Sequence, residues 1–167
     1  MRFHKQSTYP LPSDVVIRLF SDKDYFLEKY RLTGARHITL LDHSCDNSRS
    51  RITVQRDVSL EIPLPRFARK FIDDTITLTQ TDTWDLKSKT GTLDITMKGT
   101  PARVTCDMRL IDQGEQTTLD LNFNINVNVP VVGQKIAALM ARDLDRKFQR
   151  DDDKGKIVMA RLAERHQ

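Results

Sequence analysis

From Thr117 to Val129 the chain alternates without a break: Leu119, Leu121, Phe123, Ile125, Val127 and Val129 take every second position, and Asp120, Asn122, Asn124, Asn126 and Asn128 fill the gaps. A period of two sends successive side chains to opposite faces of a strand, so this stretch has one dry and one wet face. Each apolar side chain on the dry face contributes roughly 1.5–3 kcal/mol if fully buried. The same period runs back to Ala35. It predicts strands over Ala35–His43 and over Arg51–Ile62, where Ile52, Val54, Val58, Leu60 and Ile62 share a face with Arg56. It predicts another over Thr75–Leu86, whose even positions are Ile76, Leu78, Gln80, Asp82, Trp84 and Leu86 and whose odd positions are mostly threonine. Leu93, Ile95 and Met97 mark the next strand, and Ala102, Val104, Cys106, Met108 and Leu110 the one after. Arg2–Tyr9, stopped by Pro10 and Pro12, completes a set of seven.

The turns test the pattern. A loop at Gly99–Thr100 sets Met97 against Ala102 and Ile95 against Val104, and one around Asp112–Gly114 sets Leu110 against Leu119 and Met108 against Leu121. Apolar residues then meet apolar residues in consecutive hairpins, which describes an antiparallel meander dry on one side. Two short helices fit between the first strand and the meander. One starts at Ser13 or Asp14 as N-cap before VVIRLF, and the other spans Asp22–Tyr30 and ends at Thr33–Gly34. After Pro130, Val132, Ile136, Leu139, Met140, Leu144 and Phe148 recur at helical spacing with Arg142, Arg146 and Lys147 opposite. A helix over Val131–Arg150 would be roughly 30 Å long, enough to cross a sheet. Val158, Met159 and Leu162 return near the same face, so we expect it to continue through the charged run at Asp151–Gly155.

Composition adds limits. The 167 residues suit one domain with a sizeable core, and 30% charged with 38% hydrophobic residues is a globular balance. No apolar run reaches the roughly 18 residues of a membrane span. MRFHKQSTYPLP lacks the apolar core of a secretory signal, so a cytoplasmic location is expected. Cys45 and Cys106 are far apart and read as reduced thiols. A net charge of +4 without a basic stripe or an RNA-binding aromatic signature argues against nucleic acid. His37, His43 and Cys45 form no complete metal-ligand set, and no GxSxG, P-loop or HExxH motif is present. No cofactor, metal or catalytic residue is therefore assigned, and the sequence leaves the oligomeric state open.

The order of strand, two short helices, meander and long last helix resembles the helix-grip fold of the START, Bet v 1 and polyketide-cyclase (SRPBCC) superfamily. More narrowly, the chain is similar to an uncharacterised bacterial family of that superfamily, a domain of unknown function. The resemblance rests on Pro63 and Pro65 before RFARKF, on Thr83-Trp84 followed by Gly91, on Lys98-Gly99-Thr100-Pro101, and on VNVPVVG from Val127 to Gly133. It implies an α+β architecture with a curved seven-stranded antiparallel sheet around the last helix and a hydrophobic tunnel between them. Superfamily members bind lipids, sterols, polyketides or plant hormones, and others are cyclases or protein partners. Fold alone does not choose among these.

Against that frame of expectations, Arg56, Gln80 and Asp82 are the informative polar residues, because alternation puts all three on the inward face. In a hairpin that pairs Arg56 with Gln80, Asp82 lies one diagonal step away. They could anchor a carboxylate or hydroxyl at a pocket wall, or form a satisfied internal pair. Trp84, Met97, Met108, Phe123, Met140 and Leu144 would line a core or a cavity, methionine suiting an adaptable one. Leu64, Arg66, Phe67, Lys70 and Phe71 read either as a lid touching an anionic membrane through Arg66, Arg69 and Lys70 or as a short amphipathic helix on the sheet edge. The leading expectation is a non-enzymatic module binding a hydrophobic ligand such as a fatty acyl or aromatic compound. The alternatives are a cyclase or aromatase using Arg56 and Asp82, and a protein-interaction module using the basic face at 66–70.

Overall fold

The computed structural model describes all 167 residues. In chain order the elements are β1 (Arg2–Tyr9), α1 (Ser13–Leu19), α2 (Lys23–Leu32), β2 (Arg36–Cys45), β3 (Arg49–Ser59), β4 (Thr75–Asp85), β5 (Thr90–Met97), β6 (Ala102–Asp112), β7 (Thr117–Val127) and α3 (Gly133–Leu162), closed by a 3-10 turn over Ala163–His166. The strands form one antiparallel sheet in the order β1-β7-β6-β5-β4-β3-β2. Consecutive strands are neighbours throughout, except that β1 returns to pair with β7, as the helix-grip arrangement requires. Alternation does its work: Ile76, Leu78, Gln80, Asp82 and Trp84 are buried on β4, and Leu119, Leu121, Phe123 and Ile125 on β7. The expected pairs Ile95 with Val104, Leu110 with Leu119 and Met108 with Leu121 are all present.

α3 is one helix of 30 residues, about 45 Å at 1.5 Å per residue. The run at Asp151–Gly155 does not break it, because these residues serve packing. Asp152 is buried and accepts bonds from Ser7 Oγ at 2.6 Å and Tyr9 Oη at 3.3 Å. A Cβ on Gly155 would lie 2.7 Å from the Tyr25 hydroxyl, so glycine there lets α2 close on α3. Gly133 plays the same part at the helix start, where a Cβ would meet the Val127 carbonyl oxygen at 2.6 Å. No helix is long and apolar enough to cross a membrane. Both cysteines are free, Cys45 exposed and Cys106 buried, and burial pushes the Cys106 thiol up to about 12.

Four local expectations are corrected. Pro12 is the cap residue of α1, in place of Ser13 or Asp14: its carbonyl accepts from Val15 and Val16, while the Ser13 hydroxyl and the Asp14 carboxylate both engage Lys89. β3 stops at Ser59, short of Ile62, because Leu60 bonds to Asp74 and the chain leaves the sheet. Residues 66–71 make successive turns in place of a helix, with Ala68 and Arg69 donating to Pro65, and Phe71 and Ile72 to Ala68. Finally, Arg56 sits opposite Leu78, and Gln80 opposite Val54. That shift of two residues leaves every face unchanged, so periodicity could not see it.

Candidate functional site

The inward rows of β4 to β7 do not pack directly onto α3 along their whole length. Between them lies a cavity of about 270 Å³, lined by 31 residues of which 22 are hydrophobic. The volume lies just below the roughly 300–1,000 Å³ of ligand pockets in general. Phe123, Met108 and Ile125 form its floor, Met140, Leu144 and Phe148 its helical wall.

The two short helices supply the remaining side. Phe20, the residue that closes α1, stacks on Trp84 with centroids 5.6 Å apart and on Tyr25 at 5.4 Å, and Tyr25 continues to Phe26 at 5.1 Å. Trp84 can lie flat because Gly91 stands opposite it: a Cβ there would be 2.4 Å from the Thr83 carbonyl oxygen and 2.8 Å from the indole. The Thr83-Trp84 and Gly91 motif is thus a steric pair.

The polar wall is a relay. Arg56 Nη2 donates to Gln80 Oε1 at 2.8 Å, and Gln80 Nε2 donates to Asp82 Oδ1 at 2.9 Å. The Arg56 guanidinium lies over the Tyr30 ring at 3.7 Å, a cation–π contact. The arginine hydrogen-bonds Gln80 two positions from the strictly opposite Leu78, which its length permits. Burial pushes the Asp82 carboxyl up to about 6, against the opposing pull of the Gln80 bond and of Lys29 and Arg56. Burial lowers the pKa of Lys29 and raises those of Tyr25 and Tyr30. Three buried side-chain atoms, Arg56 Nη1, Trp84 Nε1 and Ser50 Oγ, have no hydrogen-bond partner. Such groups are rare in folded proteins and call for an explanation.

α3 is tied to the sheet at the cavity's rim. Asp143, 5% exposed, accepts from the backbone of Glu61 at 2.7 Å and Ile62 at 3.3 Å, and pairs with Lys147 at 2.8 Å. Lys147 Nζ in turn donates to the Ser59 carbonyl at 2.6 Å, and Arg150 pairs with Glu61.

Arg56, Gln80, Asp82, Trp84, Met97, Met108, Phe123, Met140 and Leu144 all line the cavity. Leu64, Arg66, Phe67, Lys70 and Phe71 do not. Leu64 is buried in the core, Phe71 is half-buried against it, and Arg66, Phe67 and Lys70 point outward from the turns. Sequence reasoning missed Phe20, Tyr25, Lys29 and Tyr30, which line the cavity from α1 and α2. The i, i+4 spacing of Tyr25 with Lys29 and of Phe26 with Tyr30 marks a helix but does not tell which of its sides faces a cavity. Asp143 and Lys147 were hidden as ordinary charges of an amphipathic helix.

A profile of the family described as "Protein of unknown function (DUF2505)" matches residues 4–156. No curated protein matches the sequence. Among solved structures, the Zhui aromatase/cyclase from Streptomyces sp. R1128 superposes with a TM-score of 0.60 at 11% identity, covering 99% of this chain and 94% of that one. Ara h 8.0201 gives 0.63 at 10% identity, with 96% and 98% covered. The di-domain ARO/CYC BexL from the BE-7585A biosynthetic pathway gives 0.65 at 9% identity, with 97% of this chain and 47% of that one covered. At such identities the likeness is one of fold, and the fold is of the SRPBCC type.

Proposed function

The chain belongs to the DUF2505 family of proteins of unknown function, and from that membership and the geometry of the cavity we propose that it binds a hydrophobic small molecule between the sheet and α3. The observation that carries the reading is the cavity itself, 270 Å³ of mostly apolar lining under a helix held by polar latches. An apolar cavity of this size is a destabilising void unless something fills it, at about 24 cal/mol per Å³ in core-truncation series. Methionines 97, 108 and 140 in the lining suit an occupant of variable shape. Native mass spectrometry of protein purified from its own host tests the proposal. A bound small molecule released on denaturation supports it. A ligand-free mass, together with unchanged stability on filling the space by Leu121→Phe, refutes it.

A second reading is a cyclase or aromatase type of enzyme, favoured by one specific observation: a carboxyl with a pKa of about 6 facing the cavity beside an arginine. Asp82 would then move a proton on substrate at near-neutral pH, as general acid–base catalysis needs. The Zhui and BexL proteins, named as aromatase/cyclases, share the fold. Turnover of a polyketone substrate that is lost in Asp82→Asn while binding persists would favour this reading. Turnover unchanged in that variant would remove Asp82 from it.

A further inference from the structure

The net charge of the molecule is gathered at one end of its sheet. Antiparallel pairing brings together there Arg2 at the start of β1, the connection 60–74 between β3 and β4, the turn 98–101 between β5 and β6, and the stretch 128–135 where β7 gives way to α3. Arg2, Arg66, Arg69, Lys70, Lys98 and Lys135 belong to these stretches, all of them exposed and none in an ion pair. The carboxylates of the same stretches are Glu61, Asp73 and Asp74, and Glu61 is taken by Arg150 of α3. With that ion pair set aside, six cations stand against two carboxylates, and the excess equals the net charge of +4 of the whole chain.

Apolar side chains project among these cations. Phe67 is 37% exposed, although Leu64, Ala68 and Ile72 of the same connection are buried in the core. Val131 is 99% exposed and holds a φ of +69°. A β-branched residue is strained in that conformation and here gains nothing from packing, so its presence points to a contact outside the chain. Pro63, Pro65, Pro101 and Pro130 are exposed beside them, each an apolar ring with no N–H to leave unpaired. Isolated apolar tips on separate loops, set between cations, suit a surface that deforms around each tip. A bilayer offers such a surface, with anionic headgroups at the level of the lysines and arginines and acyl chains beneath.

We propose that this end of the molecule docks on an anionic lipid bilayer, with Arg66, Arg69, Lys70 and Lys98 among the headgroups and Phe67 and Val131 entering the acyl boundary. Neither part of the contact suffices alone. Each cation close to an anionic leaflet strengthens binding about fivefold, whereas two apolar side chains by themselves give a weak partition. The connection that docks is also the one at the rim of the cavity: Leu60 lines the cavity, and the amides of Glu61 and Ile62 bond Asp143 on α3. Docking thus sets that rim against the bilayer. The charge and the exposed residues that carry it are independent of whether the cavity is filled.

The test is co-sedimentation of the full chain with vesicles of phosphatidylcholine alone and with about 30% phosphatidylserine added. Binding to the anionic vesicles is expected to be at least about 10-fold tighter, an advantage that shrinks as salt is raised from about 0.1 to about 0.5 M. Arg66→Glu with Lys70→Glu should weaken binding to the anionic vesicles by about 25-fold or more, and Lys87→Glu with Arg161→Glu, exposed at the other end, by less than about threefold. Val131→Asn should weaken it by about 3- to 10-fold while relieving backbone strain, so a folding defect does not account for the loss. That variant and the salt series carry the test if the double reversal folds poorly. Equal binding to the two kinds of vesicle, binding to neither, or an equal loss in both charge-reversal pairs overturns the proposal. Anionic-vesicle binding untouched by Val131→Asn and matched by retention on DNA or polyglutamate overturns it in favour of a general affinity for polyanions.

Discussion

Asp82→Asn separates a carboxylate that the fold tolerates from one that the fold needs. Asp82 is 7% exposed and its pKa is moved from 3.8 to about 6, chiefly by burial. Two units at 1.36 kcal/mol each make the ionised form about 3 kcal/mol less favourable in the folded protein than in the unfolded chain. The sign follows from proton counting. Between pH 3.8 and about 6 the folded protein holds a proton that the unfolded chain has lost, so stability falls as pH rises through that window. The penalty is complete above about pH 6 and absent below about pH 4. Asparagine has nearly the shape of the protonated acid and still accepts from Gln80 Nε2, so it removes the penalty while keeping the relay. The titratable groups facing Asp82, which are Tyr25, Lys29 and Tyr30 on α2, Arg56 on β3 and Cys106 on β6, remain in both proteins and largely cancel in the difference. Urea unfolding at a series of pH values from 4 to 7.5 should give the variant and the parent equal stability at the acid end. It should give the variant an advantage rising to about 3 kcal/mol at pH 7.5. A difference that does not change with pH, or a variant less stable at pH 7.5, would falsify the assignment of Asp82 as an acid whose burial outweighs its polar partners.

Further substitutions probe the frame around the site. Asp143→Ala leaves the Glu61 and Ile62 amides and the Lys147 ammonium without their acceptor and should lower stability in urea by about 2–4 kcal/mol, with Asp143→Asn losing roughly half of that. Gly91→Ala forces a methyl against the Thr83 carbonyl and the Trp84 ring and should cost about 1–3 kcal/mol, read as a fall of about 2–4 °C in Tm for each kcal/mol, together with a changed Trp84 emission. Val131 is 99% exposed with φ at +69°, a conformation that β-branched residues resist, so Val131→Asn should raise Tm by an amount equivalent to about 1 kcal/mol.

The meander was legible because alternation is a local property. Each of Leu119, Leu121, Phe123 and Ile125 announces its face through its immediate neighbours, and a hairpin register follows from the few residues of its loop. The pairing of β3 with β4 was not, because fifteen residues, 60 to 74, separate the two strands and a slip of two preserves every face. The polar row Arg56, Gln80 and Asp82 was readable as inward-facing for the same reason that the apolar rows were. That Arg56 reaches Gln80 diagonally and keeps one nitrogen unpartnered depends on side-chain geometry, which no spacing encodes. The aromatic side of the cavity was hidden differently. Tyr25 and Tyr30 belong to a helix of 10 residues and Phe20 closes one of 7, both too short for a periodic signal to tell the cavity-facing stripe from the rest.

The charged middle of α3 explains why a cavity exists at all. Read along the chain, Asp143, Lys147 and Asp152 weaken a helix whose apolar stripe should press onto the sheet. In the fold they become struts: Asp143 and Lys147 bond the chain at Ser59, Glu61 and Ile62 where β3 ends, and Asp152 bonds Ser7 and Tyr9 on β1. β1 is one edge of the sheet and β3 lies next to the other. A helix anchored near both edges by polar bonds of fixed length spans the concave face without settling into it, since descent toward Met108 and Phe123 would stretch those bonds. Hydrophobic attraction is non-directional and would close the gap, whereas a buried carboxylate stripped of its donors is costly enough to oppose closure. The polar residues of α3 thus set the height of the roof, and the apolar ones determine what can lie beneath it.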